Sequence, residues 1–230
     1  MLTDWDIQSG RTIHVSMHNY EIDSLCYFLR LSYHYWLEMK ECALFEDEWL
    51  DTAKRIVNLW IVEQHHDKQS SYTYPTLPNE GKGMPICYTG MTWGAYRPSD
   101  DVVLHHFSIP SNMFVVVVLR HLEEILESCY PVEEQFKQKV RSLGQQIDDA
   151  IAEHGVVTVG GKKVYAYEVN GCGDYVLMDD ANVPSLLSMD YLGYHTKHDA
   201  SGTIKRNTME LILSPANPFF FTSEFISGIG

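Results

Sequence analysis

The sequence predicts an all-α fold made of antiparallel helical hairpins, with one small β-hairpin. Three observations carry this. Six segments repeat apolar residues at three- and four-residue steps. Only one stretch, around Gly160-Gly161, has the signature of a two-residue hairpin turn. Short links join consecutive helical segments, which folds them back on one another. With 230 residues, 45% of them hydrophobic, the chain can bury a large core.

Residues 1–19 show no clear period and are expected to form a divergent or disordered N-terminal segment. Residues 20–230 form the domain. The first helix carries the stripe Ile22, Leu25, Cys26, Leu29, Tyr33, Trp36 and Leu37. The second starts near Asp47, a plausible N-cap, with Leu50, Ala53, Ile56, Val57, Trp60 and Ile61 on one face. The short Ala43–Phe45 link predicts that these two pair as a hairpin. His65 to Pro110 is an irregular stretch with five prolines, four glycines and a crowd of aromatics, a composition that often carries function. A third helix starts near Ser111, with Phe114, Val117, Val118, His121, Leu122 and Ile125 on one face. Pro131 suits the first turn of a fourth helix, which ends near Gly155. The β-hairpin follows, then a second irregular loop over Gly171–Pro184. Short helices are predicted at Ser185–Leu192 and Ser201–Leu213.

The formal charge is −14, with 17 basic and 31 acidic residues. A negative surface repels phosphate backbones and anionic lipid, so nucleic acid is not expected as a partner. The longest apolar run, Met113–Leu119, is too short to span a bilayer, so no membrane segment is expected. Five widely spaced cysteines without a C-x-x-C pattern read as reduced thiols. Together with a polar N-terminus and no N-x-[ST] sequon, they favour a cytoplasmic location.

Both irregular loops contain adjacent carboxylates: Asp100-Asp101 after Arg97, and Asp179-Asp180 before Asn182. Glycosidic cleavage uses two carboxyl groups, one as acid and one as base or nucleophile. Trp93 lies close to the first pair and could present a ring face to a sugar; Arg97 and Asn182 could hold hydroxyls. The competing reading is that Asp-Asp pairs cap helices or face water, as Asp148-Asp149 is expected to do. A metal site at His65-His66 and His105-His106 is disfavoured, because adjacent histidines rarely point at one centre. No cofactor fingerprint occurs.

Several blocks, in order, resemble glycoside hydrolase family 125, whose fungal members are described as meiotically up-regulated 157-like. They are Tyr20-Glu-Ile-Asp-Ser-Leu-Cys26, Thr89-Gly-Met-Thr-Trp-Gly-Ala-Tyr-Arg-Pro-Ser-Asp-Asp101, Ile109–Leu119, Tyr165-Ala-Tyr-Glu-Val-Asn-Gly171, Met178–Leu187 and Ser214–Phe219. The resemblance implies part of an (α/α)6 toroid, and inverting, metal-independent, exo-acting hydrolysis of terminal α-1,6-linked mannose. The implied ligand is a mannose-containing oligosaccharide or N-glycan, with no cofactor. The implied general acid is Asp100 or Asp101. Trp93, Arg97, Glu168, Asp179, Asp180 and Asn182 are the implied substrate-site residues. The family's W-L-R-D-S-like motif and its late general base have no counterpart here, so the chain is expected to hold the acid without the base.

Overall fold

A computed structural model describes residues 3–230. The fold is mostly helical with three small antiparallel sheets. A short helix α1 (Asp4–Gln8) stands in the segment predicted to be loose, because Thr3 and Asp6 close a reciprocal capping box. The first two residues of that segment lie outside the described residues. The main helices are α2 (Ile22–Met39) and α3 (Asp47–Glu63); α4 (His66–Gln69) and α5 (Pro78–Gly81) are single turns. A strand β1 (Phe107–Ser108) leads into α6 (Ile109–Cys129), and α7 (Glu134–His154) follows. Pro131 lies in the link, and α7 starts three residues beyond it. The predicted hairpin is β2 (Val156–Val159) against β3 (Lys162–Tyr165), in register Val156 to Tyr165. β4 (Glu168–Val169) is the centre of a sheet, between β1 and β5 (Tyr175–Val176). The chain closes with α8 (Met189–Leu192), α9 (Thr203–Ile212) and a terminal hairpin, β6 (Phe220–Thr222) with β7 (Ser227–Ile229).

The core is organised around α6. Every residue from Ile109 to Leu119 is buried, so the first half of this helix is enclosed on all sides rather than on one face. Both α2 and α7 pack against it. This changes the expected pairing: α2 lies mainly on α6, and meets α3 where the Trp49 indole donates to the Ser32 hydroxyl, 2.9 Å. Some apolar residues stay partly open: Phe219 and Phe221 are exposed, and Trp36 is half-buried against the core.

Four of the five cysteines are not free thiols. Cys42 pairs with Cys129 and Cys87 with Cys172; Cys26 is buried and unpaired. Both pairs join positions more than eighty residues apart, with Cα atoms 5.5 and 5.2 Å apart, a proximity that spacing along the chain cannot reveal. One ground for a cytoplasmic location therefore falls. Gly171 shows how tightly the second bridge draws its loops together. It has a positive φ of 75°, and a Cβ there would collide with the carbonyl of Cys87.

Asp148, expected in water, is buried instead. It accepts from the Tyr194 hydroxyl (2.8 Å) and the Thr196 hydroxyl (2.9 Å), tying α7 to the segment after α8. Asp149 is the exposed member of that pair and meets Lys197 and His198.

Candidate active site

The first carboxylate pair sits at the tip of a small turn. Tyr96 bridges Val102 across it, and the Val103 amide donates to the Ala95 carbonyl, 3.1 Å. Within the tip, the Arg97 amide donates to the Asp101 carbonyl (2.8 Å) and the Asp100 amide to the Arg97 carbonyl (3.0 Å). Asp100 has φ of 64°, a left-handed conformation that Asp tolerates better than most side chains. Asp100 and Asp101 are both exposed, and Asp101 accepts from the Ser99 hydroxyl, 2.9 Å.

The turn is anchored from beneath. The Arg97 guanidinium donates through Nε to Glu168 Oε1 at 2.5 Å. The other Glu168 oxygen accepts from the Leu104 and His105 amides, 2.9 and 3.0 Å. Glu168 has no exposed surface, so its carboxylate braces both arms of the turn instead of facing a ligand. A buried pair with every acceptor used holds a position well, and removing one partner is costly. Arg97 also lies over the Tyr167 ring, 5.6 Å to the centroid, and its Nη2 has no partner.

The second carboxylate pair is engaged in holding its own loop. Asp179 accepts from the amides of Leu186 and Leu187, both 2.8 Å, and has no exposed surface. Burial pushes its carboxyl up to about 7, with the neighbouring Asp180 charge adding to the rise and the two amides opposing it. Asp180 accepts from the Tyr167 hydroxyl (3.2 Å) and the Asn182 amide (2.9 Å). Of this loop's candidates only Asn182 is exposed. The two loops do meet, through Tyr167: its ring lies under Arg97 and its hydroxyl reaches Asp180.

Trp93 is placed as a support. Its ring has no exposed surface, with His66 stacked at 3.6 Å between centroids and His106 at 4.6 Å. Those two contacts also account for half of the adjacent-histidine pairs. Among the described residues no group of three or more His, Cys, Asp or Glu is placed to hold a metal.

Four residues at and just before the start of α2 meet the two loops and carried no assignment from sequence. The Tyr20 carbonyl accepts from the Ala95 and Tyr96 amides, which fixes the start of α2 against the turn. Glu21 is half-buried. Burial pushes its carboxyl up to about 7; the Ser24 hydroxyl opposes this, and the Asp100 carboxyl within hydrogen-bonding reach adds to it. Asp23 is buried, with Oδ1 unpartnered, and is pushed up to about 6 by burial, with the Asp100 charge contributing. Tyr27 is about two-fifths exposed and donates to the Val183 carbonyl in the second loop, 2.8 Å. The Glu-Ile-Asp spacing was visible in the matched block at residues 20–26, but nothing local says that it faces residue 100.

The larger cavities lie elsewhere. One of about 370 Å³ is formed around Tyr165, Tyr194, Asp199 and Lys205, and a more open one of about 670 Å³ lies between Tyr88 and α7. Neither holds one of the sequence candidates. The carboxylate turn is an open surface site, and its chemistry, rather than its volume, marks it.

Comparison with known proteins gives a consistent result. A family model described as metal-independent α-mannosidase (GH125) matches residues 5–230, beginning inside the segment read as divergent. The meiotically up-regulated gene 157 protein of Schizosaccharomyces pombe is 37% identical over 231 residues, covering 92% of this chain and 44% of that protein. A Streptococcus pneumoniae structure from a family of metal-independent α-mannosidases, in a non-productive complex with α-1,6-mannobiose, superposes with a TM-score of 0.87 at 40% identity. It covers 94% of this chain and 52% of that one. The chain thus spans about half the length of the relatives it matches.

Proposed function

The chain belongs to the metal-independent α-mannosidases of glycoside hydrolase family 125, and from that premise we propose that it supplies the acid side of an inverting exo-α-1,6-mannosidase site. The substrate is a mannose-containing oligosaccharide or N-glycan with a free non-reducing end. The architecture is the proximal part of an (α/α)6 toroid. The observation that carries the reading is the exposed Asp100-Asp101 tip, braced by the buried Arg97–Glu168 pair.

In this mechanism Asp100 or Asp101 protonates the glycosidic oxygen as the bond to the anomeric carbon breaks. A water attacks from the opposite face, activated by a carboxylate roughly 6.5–9.5 Å from the acid. Asp179 and Asp180 are poor candidates for that base, because amides and a phenol occupy their oxygens. The base comes from the part of the family fold that this chain does not span.

The test follows release of mannose from α-1,6-mannobiose by NMR, which also reports the anomer formed. The bare chain should show little turnover, since loss of general-base assistance costs about 10²–10⁴-fold. Joined to the distal half of the pneumococcal relative, it should release β-mannose. Asp100→Asn and Asp101→Asn in that fusion separate the two candidates: loss of the acid abolishes mannobiose hydrolysis and spares aryl mannosides with good leaving groups. A fusion that folds, binds mannobiose and never turns it over favours the alternative, an inactive relative that retains sugar binding.

A further inference from the structure

The two histidines stacked on Trp93 carry different numbers of ring protons, and their partners count them. The Met84 amide donates to His106 Nε2 (2.8 Å), and His106 Nδ1 donates to the Gly94 carbonyl (2.9 Å). One nitrogen accepts and the other donates, so His106 is neutral; burial keeps it so, pushing it down to about 4. His66 is arranged otherwise. Its Nδ1 meets Glu63 Oε2 at 2.6 Å, and its Nε2 meets the Lys82 carbonyl at 3.0 Å. Both partners are acceptors, and a neutral imidazole has one proton to give. The second Glu63 oxygen accepts from the Ser70 hydroxyl at 2.6 Å, a length that belongs to an ionised acceptor. Glu63 is 1% exposed and His66 2% exposed, so the pair settles its charges without solvent.

We infer that His66 is held as an imidazolium against the Glu63 carboxylate, and that it is a positioning residue for the arm that carries the Asp100-Asp101 turn. This rests on the glycosidase reading only in treating that turn as the acid side of the site. The other titratable groups around the pair are the Tyr20 and Tyr72 phenols, both pushed up by burial, and neutral His106; Asp67, Lys68 and Lys82 are exposed. A neutral His66 ring must either turn a lone pair to the Glu63 carboxylate or leave the Lys82 carbonyl without its donor, and Glu63 is then a buried charge without a counter-charge. The consequence reaches the turn by a short path. Lys82 leads into Gly83, whose φ of 89° and missing Cβ let it pack on the His106 and Trp93 rings, and then into the Met84 amide that fixes His106. His106 holds the Gly94 carbonyl, and the Trp93 amide donates to the Glu63 carbonyl, 3.3 Å. Residues 93–94 open the arm that ends at Arg97.

The experiment uses the 230-residue chain with isotope-labelled histidine, and reads the ring protons by NMR at neutral pH. The His66 signals are identified by their absence in His66→Gln. His66 should show a proton on each ring nitrogen, and His106 a proton on Nδ1 alone. A single ring proton on His66 overturns the assignment, since that is the signature of a protonated Glu63 donating to Nδ1. Glu63→Gln supplies the second reading. Its amide can donate to Nδ1 and accept from Ser70, so it keeps the bonds around a neutral ring. In the parent, raising the pH until the second ring proton leaves should lower the thermal midpoint and shift the Gly94 and Arg97 amide signals over the same range. In Glu63→Gln, His66 should carry one ring proton, and both changes should vanish. Asp67→Asn, an exposed neighbour on the same turn, should behave as the parent does. Identical pH profiles in parent and Glu63→Gln overturn the assignment, as do Gly94 and Arg97 signals indifferent to the second proton. Should Glu63→Gln fail to fold, the ring spectrum and pH profile of the parent still decide. No sugar enters these readings, so they stand or fall separately from turnover by the fusion.

Discussion

Replacing Cys42 and Cys129 together by serine tests the pairing that overturned the free-thiol expectation. The bridge closes a loop with a sequence separation of 87. In the chain-entropy treatment, opening such a loop frees the unfolded ensemble by about 4.6 kcal/mol, near the upper end of what native disulfides contribute. The packing around the bridge is retained in the variant, since α2 and α6 still share their interface, so the loss is assigned to the unfolded state. For a domain of this size each kcal/mol moves the midpoint by about 2–4 °C, which gives a drop of roughly 9–18 °C. The assay is a thermal melt of air-oxidised protein, parent and variant, with and without reductant. Reductant should lower the parent midpoint strongly. It should lower the variant less, because only Cys87–Cys172 remains to be opened. Alkylation in denaturant before reduction should label one cysteine, Cys26. Five labelled cysteines in the oxidised parent, or a midpoint indifferent to reductant, refute the reasoning.

Glu168→Gln should destabilise the chain by about 3–5 kcal/mol, because it leaves the Arg97 charge buried without its counter-charge; a denaturant melt within 1 kcal/mol of the parent counts against the brace. Trp93→Ala should cost about 3–5 kcal/mol through the cavity left between His66 and His106, whereas a sugar platform would show lost binding with stability unchanged. Glu21→Gln and Asp23→Asn probe linkage. Both carboxyls are raised in the folded state, to about 7 and about 6, so the folded chain holds those protons more tightly than the unfolded one. Their contribution is full below the ordinary carboxylate range and is lost as pH rises through the folded values. The neutral variants lack that loss, so their stability relative to the parent should climb between about pH 4 and 7. A difference that is flat or falls with pH rejects the shifts.

Much of the secondary structure was legible because it rests on local periodicity. The α2 stripe from Ile22 and the Gly160-Gly161 turn need only neighbours within a few residues. The β2–β3 register follows from that turn. What the sequence concealed was set by distant partners. The Phe114–Ile125 stripe suggested one buried face, and enclosure by α2 and α7 buried the others. The two Asp-Asp pairs look alike in sequence, yet only the first keeps its carboxylates exposed. The difference lies in the 186–187 amides and the Tyr167 hydroxyl, none of which the dipeptide announces. Trp93 beside a carboxylate looked like a sugar platform until His66 and His106, from two other parts of the chain, covered its faces. Asp23 was overlooked for the same reason: a carboxylate in a first helical turn reads as a favourable end charge, worth about 0.3–1 kcal/mol, until its burial is known.

The two bridges interleave along the chain: one spans Cys42 to Cys129 and the other Cys87 to Cys172. A protease that cuts once anywhere between Cys42 and Cys172 therefore severs the backbone without releasing a piece. A cut before Cys129 leaves Cys42 tied to Cys129 across it; a later cut leaves Cys87 tied to Cys172. The proline- and glycine-rich loop that carries Asp100, its Arg97–Glu168 brace, and the helices α3, α6 and α7 lie inside that protected stretch. The oxidised molecule can be nicked there and still migrate as one covalent species, coming apart only when a reductant is added. The segments outside it, before Cys42 and after Cys172, have no such tether, and a single cut there frees a terminal fragment.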